Sequence, residues 1–237
     1  MKKLLAALLF TIPTLAFAID LEGFYITAKG GASKTFNTGM TSFNDADGNL
    51  IAFPNEDLGT GNAFGFSVGK YVTDSFRLEL EAIKRTGYEY DVNSLLFPAS
   101  ANKAKIETHA LFINGFYDFQ PFSISNTSIT PYLGCGVGIS RNKMGTIVEH
   151  EDGPPNGMTT DGDTINQFAY KLSAGTLFSL TEQLSLDVNY QYVNLGAFKG
   201  STEVYDEEER GEDDYQRGTN GGEIKSQELM VGLQYTF

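Results

Sequence analysis

LSLDVNYQY, residues 184–192, sets Leu184, Leu186, Val188, Tyr190 and Tyr192 on one side and Ser185, Asp187, Asn189 and Gln191 on the other. Successive side chains of a strand point to opposite faces, so strict alternation over this length predicts a β-strand with one apolar and one polar face. The same rhythm recurs outward from it. FRLELEA (76–82) opposes Phe76, Leu78 and Leu80 to Arg77, Glu79 and Glu81. FGFSVG (64–69) opposes Phe64, Phe66 and Val68 to two glycines and a serine, and FAYKLSAG (168–175) opposes Phe168, Tyr170 and Leu172 to Ala169, Lys171 and Ser173. TPYLGCGVGIS (130–140) sets Leu133, Cys135, Val137 and Ile139 against Tyr132 and three glycines. FYITAKGGAS (24–33) alternates more weakly, HALFINGFYDF (109–119) is apolar on both sides, and ELMVGLQYTF (228–237) completes a set of eight.

The connections carry a second pattern, alternating long and short. About 25 residues (37–61) precede the tight turn Thr73-Asp74-Ser75; a long link near 88–106 precedes a shorter one around 120–127. A long loop near 141–166 precedes Thr181-Glu182-Gln183, and the last loop spans about 196–223. In an up-and-down barrel all long connections then fall at one end and all short ones at the other. The predicted fold class is all-β: an eight-stranded antiparallel transmembrane barrel with short periplasmic turns and four long extracellular loops. Hydrocarbon requires every backbone N–H and C=O to be paired within the protein, which only a closed sheet provides.

A soluble eight-stranded barrel would point the same apolar faces inward. Against it stand the charged yet glycine-rich second face, the terminal aromatic, and Tyr25, Tyr71, Tyr88, Tyr117, Tyr192 and Tyr235 near strand ends, where membrane-interface girdles are expected. The N-terminus agrees. Lys2 and Lys3 precede an apolar run ending Ala16-Phe17-Ala18, which reads as a secretory signal over residues 1–18, cleaved after Ala18, with the barrel occupying 19–237. The run is shorter than a spanning helix needs and contains Pro13.

The formal charge of −13 becomes −15 when Lys2 and Lys3 leave with a signal that contains no acid. An acidic exported chain is a poor nucleic-acid binder, because that affinity rests on Lys and Arg neutralising phosphates. A single cysteine, Cys135, excludes an intramolecular disulfide and is expected to face lipid.

These stretches together resemble the eight-stranded outer-membrane barrels of the OmpA transmembrane-domain, OmpX and NspA kind, and among them most resemble the surface antigens of rickettsia-type bacteria. The resemblance rests on GFYITAKGGAS (23–33), FRLELEA, NGFYDF (114–119), TPYLGCGVGIS, YKLSAGTLFSLTEQLSLDVNYQY (170–192) and LMVGLQYTF (229–237). It covers most predicted strands and none of the long loops. It implies residence in the bacterial outer membrane, with the final strand (Leu233, Tyr235, Phe237) serving as the signal read by the outer-membrane assembly machinery. The resemblance does not extend to the peptidoglycan-binding domain of full-length OmpA, so no cell-wall tether is expected.

Chemistry is sparse. His109, expected at the start of the fourth strand, and His150 in the third long loop show no neighbouring serine or acid in a catalytic pattern, so no enzyme activity and no cofactor are expected. Taking Gly48 of DADGN as a calcium-loop glycine would make Phe43 the first ligand and Pro54 the twelfth, so the motif fails. The acids Glu203, Asp206–Glu209 and Glu212–Asp214 read as a solvated loop. Arg77, Glu79, Glu81, Lys171, Asp187 and Glu228, with Lys29, are expected to point into the lumen and cross-link it, since buried charges persist only when paired. The functional expectation is a monomeric surface protein: an anchor in outer-membrane lipid whose acidic loops meet the envelope, a host or another surface ligand. The alternative is a small porin-like solute channel.

Overall fold

Each alternating segment extends well beyond its sequence signature. In the computed structural model, which describes residues 21–43, 50–53, 57–91, 103–125, 127–148, 159–205 and 221–237, eight long strands form the wall. They are β1 (Phe24–Thr35), β2 (Thr60–Thr73), β3 (Phe76–Asp91), β4 (Lys103–Asp118), β5 (Thr127–Met144), β6 (Thr164–Ser179), β7 (Leu184–Tyr205) and β8 (Gly221–Thr236). Every strand pairs antiparallel with its sequence neighbours.

β8 returns to pair with β1 from Tyr25↔Thr236 to Thr35↔Ser226, so the sheet closes and no long edge remains. The Phe237 amide donates to the Phe24 carbonyl at 2.9 Å, which carries the seam to the last residue. Following partners from Arg85 through Ala63, Gly31, Met230, Asn189, Gly175 and Tyr132 returns to β4 at Asp118. That is ten residues along from Thr108, the direct partner of Arg85. Such stagger is what tilts the strands of a closed barrel.

The facing is inside-out for a soluble protein. Phe64, Ile113, Val137, Ile139, Phe168, Leu172, Leu229, Val231 and Leu233 all lie on the outer wall, each about half exposed or more. A continuous apolar belt of this kind would drive aggregation in water and is stable in lipid. The soluble-barrel arrangement is therefore not the one adopted. β4, ambiguous in sequence, resolves with Leu111, Ile113 and Tyr117 outward and Phe112, Asn114, Phe116 and Asp118 inward.

Short connections (Asp74-Ser75, the segment around Phe119–Ser125, and Leu180–Gln183) gather at the end that also holds Phe24 and Phe237. At the opposite end strands project past the expected boundaries. β3 and β4 run to Asp91 and from Lys103, so both ends of the expected loop near 88–106 are strand, and small ribbons (Met40–Phe43 with Leu50–Phe53; Ile147–Val148 with Thr159–Gly162) extend the wall. Of four register shifts among the described residues, two are bulges that redirect an inward row: between Arg85 and Tyr88, around Gly87 (φ 91°), and between Asn194 and Ala197, around Gly196 (φ 73°). One extra residue per bulge moves the following side chains to the other face. The inward row of β3 thus passes from Arg85 to Tyr88 and Tyr90, and that of β7 from Leu195 to Phe198.

The bulges and strand phase overturn part of the expected tyrosine girdle. Tyr25 and Tyr88 are fully buried inside the barrel, and half-buried Tyr71 packs its ring on Tyr25 at 5.5 Å. Tyr117, Tyr192 and Tyr235 remain on the outer wall, as the girdle reading requires.

Candidate functional site

The lumen holds three tiers of ionisable side chains, each built from the inward phase of several strands. Nearest the short turns, Arg77 of β3 donates from Nε to Asp118 of β4 at 3.0 Å and from Nη1 to Gln234 of β8 at 3.1 Å. Its guanidinium lies 4.6 Å from the ring centres of both Phe116 and Tyr132, so the aromatic faces share its charge. The middle tier centres on Glu81. Lys29 of β1 reaches it at 2.8 Å and Glu79 at 3.7 Å, while Lys171 of β6 pairs with Glu81 from across the barrel. Asn114 Nδ2 donates to both carboxylates, at 3.1 and 3.0 Å, and the Tyr132 hydroxyl donates to Asp187 at 2.6 Å. In the third tier Arg85 grips Glu228 with Nε at 2.5 Å and Nη2 at 3.0 Å. Ser33, Ser226 and Gln191 supply further donors to the same carboxylate at 2.7, 3.0 and 2.5 Å.

Close approach explains the inner-face glycines. A Cβ on Gly136 would sit 2.1 Å from Asn114 Oδ1, and one on Gly175 would sit 2.5 Å from the Tyr132 ring. Each glycine is the direct partner, on the adjacent strand, of the side chain it admits (Asn114↔Gly136 and Tyr132↔Gly175), so the bare neighbour lets that side chain lean across it.

Above Glu228, toward the long connections, the interior changes character. Tyr90, Ile106, Met144, Leu195, Phe198 and Ile224, with Met40 and Leu58 from the β1–β2 connection, form one buried apolar cluster. Tyr90 and Phe198 meet edge to face at 6.1 Å, and the Tyr90 hydroxyl donates to the Thr41 carbonyl at 2.7 Å.

Arg77, Glu79, Glu81, Lys171, Asp187, Glu228 and Lys29 are thus all buried within the barrel, and strand register rather than closeness in sequence sets their pairing. Arg77 is partnered by Asp118 rather than by Glu79, its neighbour two residues along. Sequence reasoning missed Arg85 and Asp118. Extending the alternation of FRLELEA by three residues would have found Arg85, and the two-sided apolarity of NGFYDF concealed Asp118. It missed the apolar cluster as well, because bulge positions hide the phase.

The histidines and cysteine fall elsewhere. His109 is mid-strand on the outer wall of β4, not at the strand start, because β4 begins six residues earlier at Lys103. Glu107 shares its face but is engaged by Lys84 at 3.3 Å. Cys135 is exposed beside Leu133 and Val137. Among the described residues no group of three or more His, Cys, Asp or Glu side chains is placed to hold a metal ion. Leu233 and Tyr235 face outward on β8, and the Tyr235 ring meets Phe237 edge-on at 5.2 Å. His150, DADGN, Asp206–Glu209, Glu212–Asp214, the side chain of Glu203 and the cleavage site at Ala18 lie outside the described residues.

With that geometry in place, similarity to known proteins narrows the identity. The chain is 27% identical over 234 residues to the outer membrane protein PagN of Salmonella typhimurium, covering 94% of this chain and 93% of that one. A candidate adhesin of Rickettsia conorii is 26% identical over 183 residues, covering 74% and 68%, so the rickettsial likeness expected from the strands is present and is weaker than that to PagN. The crystal structure of Neisserial surface protein A has the same fold, with a TM-score of 0.51 at 15% identity, covering 91% of this chain and 98% of that one. Residues 4–237 match the family described as the outer membrane protein beta-barrel domain; the chain belongs to that family and is a protein of the Gram-negative outer membrane.

Proposed function

We propose that this protein is a sealed anchor that holds its long connections outside the cell for contact with other surfaces, rather than a conduit for solutes. The observation that carries this reading is the filled lumen. Three cross-barrel ionic tiers and the apolar cluster above them occupy the axis from the short turns to the long-connection end. Breaking a buried ion pair leaves an uncompensated charge, so opening a path through the tiers costs several kcal/mol per pair. A rigid wall with long connections at one end is the arrangement in which partner contact falls to the loops. The acids of 203–214 give that surface its negative charge, and the likeness to a candidate adhesin of Rickettsia conorii favours contact with a host surface over contact within the envelope.

Two further parts belong to the same proposal. Residues 1–18 direct export and are removed after Ala18, and the outward row Leu233, Tyr235 and Phe237 of the closing strand is what the assembly machinery engages. Outer-membrane lipid surrounds the belt, and the barrel acts as a monomer.

The test is a chain trimmed of residues 201–222, assayed for host-cell binding beside its heat-modifiable gel migration. Normal migration with lost binding is expected. Retained binding by a normally migrating variant would remove the last loop from the account.

A further inference from the structure

A basic patch interrupts the outer wall where the apolar belt ends. Lys84 of β3 stands directly opposite His109 of β4, which stands directly opposite Arg141 of β5. All three are exposed and face outward. Lys84 and Arg141 thus stand on either side of one imidazole, and two cations this close on one face favour a nearby anion. Glu107 is the nearest acid, and it is engaged by Lys84 at 3.3 Å. Lys143 lies opposite Glu107, and Lys105 lies two residues along β4 from it, itself opposite Glu89. Five basic side chains thus surround one committed carboxylate, with Glu89 at the margin. Arg141, Lys143 and Lys105 have no ion-pair partner among the described residues.

Position gives the patch its meaning. Leu111 and Ile139, two residues from His109 and Arg141 toward the short-turn end, are exposed members of the apolar belt. The basic row therefore stands at the boundary where acyl chains give way to head groups on the long-connection side, which is the outer leaflet. The chain carries a formal charge of −13, and four of its described cations are buried in lumen pairs, so a basic group of this size on the wall runs against the balance of the whole protein. Cations at the head-group level recognise phosphate, and Arg and Lys serve that role through charge-assisted hydrogen bonds.

We propose that Lys84, Lys105, His109, Arg141 and Lys143 form a docking surface for the phosphates of an outer-leaflet glycolipid, with the acyl chains of the same molecule lying on Leu111, Ile139 and Phe168. The lipid belongs to the phosphorylated lipid A class. Its phosphates supply the anion that Arg141, Lys143 and Lys105 lack, and its chains cover an adjacent part of the belt.

The test measures, for the full chain in neutral micelles, the temperature at which compact gel migration is lost as lipid is added. Bisphosphorylated lipid A is expected to raise that temperature, and enzymatically dephosphorylated lipid A and inorganic phosphate are expected to leave it unchanged. R141E/K143E should need at least about tenfold more bisphosphorylated lipid for the same rise. K70E, at the opposite rim where Lys70 covers Phe24, should behave as the parent. If R141E/K143E fails to reach the compact form, R141Q/K143Q is read by the same criterion. An unchanged lipid requirement in the variant that folds, or an equal rise with dephosphorylated lipid or with inorganic phosphate, would overturn the proposal.

Discussion

The two halves of the lumen solve the same problem with opposite chemistry. From Arg77 to Glu228 the interior is held by ion pairs and hydrogen bonds that span the barrel; from Tyr88 to Phe198 it is packed with aromatic and aliphatic side chains. The lower half depends on partners, and removing one leaves its mate buried and charged. The upper half depends on volume, and removing one side chain leaves a cavity. The same wall supports both because a bulge in β3 and another in β7 change which residues face inward. The difference teaches that sealing and specificity can be separated within one lumen: charges fix which strands face each other, while the apolar cluster fills the mouth.

The sharpest way to break this contrast is Glu228→Ala, which strands Arg85. Its expected cost is about 4 kcal/mol in urea unfolding of the micelle-bound barrel, and the double change R85M/E228L should restore most of it. If the single and double variants lose equal stability, the lower half is a matter of packing, like the upper. Phe198→Ala comes next, at about 3 kcal/mol, and here no second substitution at a charged site should rescue it, as differential scanning of the two variants would show. Gly87→Ala probes the hinge between the halves. With φ at 91° and the Gly61 Cα 3.3 Å from the added Cβ, about 1–2 kcal/mol should be lost, read as a lower midpoint with normal compact migration. Smallest is Lys103→Ala at the exposed pair with Asp91, where a 2.9 Å contact open to water should leave the unfolding midpoint almost unchanged, with any difference fading in high salt.

Much of the lower half is legible in the sequence. Alternation in FRLELEA and LSLDVNYQY places Arg77, Glu79, Glu81 and Asp187 on one face each, and closure brings those faces together. Pairing is another matter. Arg77 finds Asp118 because β3 and β4 are adjacent in register near the short turns, and neither residue reveals that register by itself. The upper half is nearly invisible to period-two reading. Gly87 and Gly196 shift the phase, so Tyr88 looks like an interface residue by its place in the chain and is instead a lumen residue, hydrogen-bond distance (2.5 Å) from the Ser33 hydroxyl. Tyr25 was misplaced for a simpler reason: an aromatic near a strand end satisfies the girdle pattern from either face, and only its phase with Thr27 and Lys29 assigns it inward. The basic patch was hidden because Lys84, His109 and Arg141 lie on three different segments.

The central claim is that the lumen is closed from end to end. Single-channel recording of the full barrel in planar bilayers tests it most directly. The account predicts no stable open level for the parent chain, whereas a persistent, large conductance in the parent would contradict it.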